Sequence, residues 1–179
     1  MEPLTFLFFL LILFFLYVFY LYNKLVSLLE RSKNAISQID VQLKRRADLI
    51  PNLVDTVKGY MKYERETLEK ITSLRASIVS GSINERLASD KKLEGMLKTI
   101  FAVSENYPQL KASSNFLQLQ EELVTTENRI AYARQAYNDV VYIYNSTIKM
   151  FPNNIIASIL NFKELDYLKE TGEEVKVGF

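Results

Sequence analysis

The chain contains no cysteine, no histidine and no tryptophan among its 179 residues. Without cysteine there is no disulfide, thiolate metal ligand, thiol nucleophile or acylated lipoprotein cysteine. Without histidine the commonest general base and the commonest transition-metal ligand are missing, which closes His-dependent triads, zinc sites and phospho-histidine relays. Glu64, Glu66, Glu121, Glu122 and Asp139 invite comparison with di-iron bundles, but those sites need Glu-x-x-His pairs and none can be built here. No Gly-rich phosphate loop occurs either. The sequence therefore predicts no catalytic residue, no cofactor and no metal site. Neither charge sign dominates, with 22 basic and 21 acidic residues, so the electrostatic footprint of a nucleic-acid partner is missing too.

What the chain does contain is unevenly spread. It has room for one domain and an anchor, and its apolar residues concentrate at the start. From Leu4 to Tyr22 it reads LTFLFFLLILFFLYVFYLY, 19 residues without a charge. As a helix this segment covers about 28 Å, the thickness of a hydrocarbon core. Tyr17, Tyr20 and Tyr22 stand where an interfacial belt would, and Lys24 is placed to snorkel, so the lipid bilayer is the first expected partner. A cleaved signal peptide fits poorly, because Glu2 replaces a basic leader and bulky Tyr20, Leu21 and Tyr22 replace small residues at a cleavage site. Lys24, Arg31 and Lys33 follow the span, which predicts a single-pass protein with its N-terminus outside and a cytoplasmic body.

Beyond the span, apolar residues recur at three- and four-residue steps: Leu25, Leu29, Ile36, Ile39, Leu43, Ile50, Val57, then Leu68, Ile71 and Ile78. The pattern predicts one helix from Asn23 to about Val79, kinked near Pro51 and stopped at Ser80-Gly81-Ser82, some 85 Å long. A second helix is expected over Asn84 to Glu105 and a third over Ser113 to Phe151, about 33 and 58 Å long. A short one over Asn154 to Phe162 follows. The fold class is thus all-α: a transmembrane helix continuing into a long antiparallel bundle of three long helices and a short C-terminal one. Its parts are an anchor over 1–23, a bundle over 24–162 and a polar tail over 163–179. Helices so unequal cannot cover one another, so Leu25, Leu28, Leu29 and Ile36 are expected to lack an intramolecular lid and to drive self-association.

Two further groups draw attention. Lys44, Arg45, Arg46 and Asp48 form the densest polar cluster, either a network fixing the first helix against the third or a contact surface between protomers. Asp40 with Lys44, Lys44 with Asp48 and Asp55 with Lys58 have the spacing of surface ion pairs. Tyr137 and Tyr144, each followed by Asn, share one helix face as an aromatic packing stripe whose hydroxyls could meet Asn amides.

These blocks resemble a known family. AISQIDVQLKRRADLIPNLVDTVKGY over Ala35 to Tyr60 is similar to the signature of the LemA family. So are YPQLKA from Tyr107, NFLQLQEELVTTENRIAYAR from Asn115, the two Tyr-Asn pairs and FPNN from Phe151. The resemblance implies a bacterial envelope or membrane protein with one N-terminal span and a helical bundle, and carries no activity. It departs from the family pattern at Ala47 and Tyr63, where histidine is usual, at Ile36, where an aromatic is usual, and at Asn161, where glycine is usual. Together these features predict a membrane-anchored helical scaffold acting through self-association as a homo-oligomer. The alternative is an adaptor or regulator of another membrane component, such as an envelope protease or stress system.

Overall fold

The computed structural model describes residues 3–61 and 64–169; Tyr63 and positions 170–179 of the expected tail lie outside them. Every regular element among the described residues is a helix: α1 (Pro3–Lys58), α2 (Arg65–Ser77), α3 (Ile83–Ser104), α4 (Pro108–Lys111), α5 (Ser114–Lys149) and α6 (Asn153–Ile159).

The first helix stops some twenty residues before the expected Val79. Gly59 follows Lys58, and the amides of Tyr60 and Met61 both donate to the Val57 carbonyl at 2.9 Å, closing a turn. α2 then folds back along α1, because Arg75 near its end donates from Nε to the Ala47 carbonyl at 2.9 Å. Leu68, Ile71 and Ile78 keep the apolar period because they face the same core as Val54 and Val57. Periodicity marks the buried face of a segment and is silent on a reversal of direction.

Pro51 lies inside unbroken α1. It has no amide hydrogen, so the carbonyl four residues back, Ala47, loses its partner within the helix. The guanidinium of Arg75 supplies the missing donor.

The turn into α3 rests on Gly81, whose φ of +93° suits glycine. Ser82 and Glu85 then form a reciprocal capping box, with the Glu85 amide donating to Ser82 Oγ and the Ser82 amide donating to Glu85 Oε2. From the first turn of α3, Arg86 donates to the Ile78 carbonyl at 3.1 Å and to Asp40 at 2.6 Å. Asp40 thus pairs between helices, not with Lys44 as expected.

The chain forms two compact units. One comprises residues 36–134 and 168–169, the other residues 3–35 and 135–167. The core of the first is built from Ile50, Leu53 and Val57 of α1, Leu68 and Ile71 of α2, Leu93, Leu97 and Ile100 of α3, and Phe116 and Leu123 of α5. Phe101 meets Phe116 edge-on with ring centroids 6.0 Å apart. In the other unit Leu21, Leu25 and Leu28 of α1 pack with Tyr144 and Ile148 of α5 and with Ile156 and Ala157 of α6.

That second core corrects an expectation. Leu25 and Leu28 are buried, Leu29 packs against the same cluster, and Ile36 is half-buried. The lid of the three leucines is the end of α5, α6 and the segment after it, where Phe162 and Leu165 join the cluster. Comparing helix lengths left out this non-helical cover. Leu25, Leu28 and Leu29 are therefore not a bare stripe for a second copy.

Candidate functional site

Three arrangements carry the chemistry of this chain. The first is the apolar start of α1, the one described helix with a segment long and apolar enough to cross a membrane. Its side chains from Leu4 to Leu16 are almost all exposed. A soluble core helix would bury them, so this surface needs an apolar surrounding. At its end Tyr20 and Lys24 are exposed. Tyr17 and Tyr22 instead have partners in their own unit: the Tyr17 hydroxyl donates to Asn153 Oδ1, and the Tyr22 ring meets Phe162 edge-on at 5.9 Å.

The second is a clamp on the chain that follows α6. Tyr137 and Tyr144 are buried, and their hydroxyls donate to the main-chain carbonyls of Asp166 at 2.9 Å and Lys163 at 3.0 Å. Between them Asn145 uses both ends of its amide on one residue. Its Nδ2 donates to the Leu165 carbonyl at 2.8 Å while its Oδ1 accepts from the Leu165 amide at 3.0 Å. A side chain is thus paired to the backbone as a neighbouring strand would be. Burial pushes both phenols above their ordinary range, with the Asp166 charge adding to the effect at Tyr137, so both stay neutral donors. Lys149 closes on Glu164 at 2.7 Å. The two tyrosines were visible in the sequence as a packing stripe. Their hydroxyl partner is the backbone of the supposed tail, not the neighbouring Asn amides.

The third is the polar cluster of α1. Arg46 is fully buried, and its guanidinium reaches both Asp90 oxygens of α3 at 3.1 Å and Glu127 of α5 at 3.4 Å. Its Nε has no partner. Arg45 reaches Glu122 of α5 at 3.4 Å, whereas Lys44 and Asp48 are exposed. Burial pushes the Asp90 carboxyl up despite the guanidinium against it, with the charges of Glu94 and Glu127 adding to the effect. Arg45 and Arg46 thus reach side chains of α3 and α5 in their own chain, while Lys44 and Asp48 lie at the surface. Asp90 went unnoticed in the sequence, though its signal was present: Leu87, Asp90, Leu93, Leu97 and Ile100 continue one stripe at steps of three and four. Among the described residues no three acidic side chains converge as a cation site.

An apolar helical span that runs on as part of a helical body, together with a backbone strap pinned by Tyr-Asn side chains, defines an all-helical, membrane-associated protein. The particular kind follows from comparison with known proteins. The model of the LemA family matches residues 35–179, and the chain belongs to that family. Protein LemA of Metamycoplasma hominis is 32% identical over 144 residues, covering 78% of this chain and 64% of its own length. Magnetosome protein MamQ 2 of Paramagnetospirillum magneticum is 26% identical over 176 residues, covering 83% and 65%. Magnetosome protein MamQ of Magnetospirillum gryphiswaldense is 24% identical, with the same coverage. The chain spans a little under two thirds of these relatives.

Proposed function

We propose that this protein is a membrane-tethered scaffold that organises a membrane site by associating with copies of itself, without catalysis. The observation that carries the proposal is a stripe on α5 in which three exposed apolar side chains alternate with exposed Glu121 and Asn128. Leu117, Val124 and Tyr132 are 49%, 46% and 72% exposed, and at about 100° per residue they fall within one 80° sector of the helix. Paired with the same stripe of a second copy, it would bury side chains that water now solvates. Relatives named for the magnetosome support a place in a membrane-bound assembly.

Light scattering on the full chain in mild detergent tests this. The native protein is expected to have the mass of an oligomer, and Leu117→Glu with Val124→Glu to have that of a monomer with unchanged helicity. A native monomer would remove the scaffold and favour the adaptor, whose heteromeric partner mild crosslinking would capture.

A further inference from the structure

From Met150 to Phe162 the chain reads MFPNNIIASILNF, with no charge between Lys149 and Lys163. The corner between α5 and α6 lies here. One face of α6 is used internally, Ile156 and Ala157 packing on Leu21 and Leu25. On the other Ile155 is 54% exposed and Ile159 78%, and in the turn before α6 Met150 is 60% exposed and Phe151 81%. Few water-facing surfaces gather so many large apolar side chains within ten residues.

The level of this corner along α1 decides its surroundings. Asn153 accepts a hydrogen bond from Tyr17, and Phe162 stacks edge-on against Tyr22. Leu160 shares a shallow apolar groove with Ile12, Phe15, Phe19 and Tyr22. The corner therefore lies beside the last ten or so residues of the apolar run, not beyond its end. Tyr17 is five residues inside Tyr22, about 7.5 Å along the helix. Whatever solvates that part of α1 also solvates the corner.

We propose that residues 150–162 are a second, non-spanning membrane contact, bedded in the interfacial layer of the bilayer leaflet nearest the helical body. Its occupant is lipid: acyl chain and glycerol region against Phe151, Ile155 and Ile159, with headgroups at Lys149 and Lys163. The segment's polar atoms suit that depth. Asn153 Oδ1 accepts from Tyr17 and Asn154 Oδ1 accepts from the Ile155 amide at 3.0 Å, which leaves their amide nitrogens to the polar headgroup and glycerol region of an interfacial depth. Lysines at both ends of an uncharged run can extend their stems and keep their ammonium groups at the surface. The inference rests on α1 crossing a bilayer, and its test separates the two.

Because the chain has no tryptophan, one introduced indole is the only such emitter. Full-length Phe151→Trp and Ile159→Trp, reconstituted in phosphatidylcholine vesicles with brominated acyl chains, are expected to lose about half of their emission or more. Tyr142→Trp, two to three turns back along α5, is expected to lose little. Phe9→Trp marks the span. Quenching at position 9 with none at 151 and 159 overturns the corner contact and leaves the span standing; no quenching at any of the three overturns both. Blue-shifted emission at 151 and 159 that resists brominated lipid and reverts when the vesicles are diluted with excess lipid shows the face covered by a second copy, which also overturns it.

Discussion

Ala47 has lost one hydrogen-bond donor to Pro51 and gained another from Arg75. The arrangement is reciprocal, so it can be separated by a double-mutant cycle. Arg75→Ala should cost roughly 1–3 kcal/mol by leaving a carbonyl unpaired, and the same change in a Pro51→Ala background should cost clearly less, since the amide of Ala at position 51 restores the helical bond. Thermal melts of the four proteins in one detergent check this, and equal losses in both backgrounds would refute it. Arg46 and Asp90 pose a different problem, that of two charges taken out of water together. Asp90→Ala should destabilise by about 3 kcal/mol, the low end for breaking a buried pair, because it leaves a buried guanidinium with only Glu127 beside it, whereas Arg46→Met with Asp90→Leu should lose far less. Glu127 keeps Lys98 at 3.6 Å in the double variant. Asn161 shows how a departure from the family pattern is tolerated: it takes φ +57°, the left-handed region where glycine is favoured and asparagine comes next. From there the Phe162 amide donates to the Ala157 carbonyl and the Asn161 amide to that of Ser158, ending α6 in a Schellman turn that delivers Phe162 to Tyr22.

At the scale of elements, the sequence was informative wherever a helix shows its buried face. Steps of three and four located most residues that line the larger core, and Ser80-Gly81-Ser82, expected to stop the first helix, falls between α2 and α3. The same steps also held Arg46 between Leu43 and Ile50 and Asp90 between Leu87 and Leu93, so their meeting in the interior was legible in principle. Two things were not. The reversal between α1 and α2 is written in one glycine and a turn, and α2 resumes the period it would have had as a continuation. The strap over 162–167 has no period at all, because what the buried Tyr and Asn side chains recognise is its backbone, and a carbonyl looks alike after every residue. Asn145→Ala removes both bonds to Leu165 and should cost about 1–3 kcal/mol. Its local sign is faster trypsin cleavage after Lys163, while cleavage at the native rate would show that the strap is held without Asn145.

For the molecule as a whole, what the sequence conveyed was a division of surroundings: an exposed apolar helix at one end of α1 and a charged, helical remainder. Orientation is the property of this division most easily measured. With Lys24, Arg31 and Lys33 following the apolar run, the body is expected in the cytoplasm. The absence of native cysteine gives a clean background for Pro3→Cys and Ser73→Cys in intact cells. An impermeant thiol reagent should label the first and spare the second, and the opposite pattern would invert the topology.

The hydrogen bond from Tyr17 to Asn153 has one more consequence. At Leu4 the apolar run is a single helix thick, whereas at Val18 it carries α6 alongside. A bilayer holding it would yield more area on one side than on the other, and an unequal area between leaflets is relieved by bending. Each copy would add the same increment of curvature in the same sense, so a dense patch would prefer a rounded membrane to a flat one.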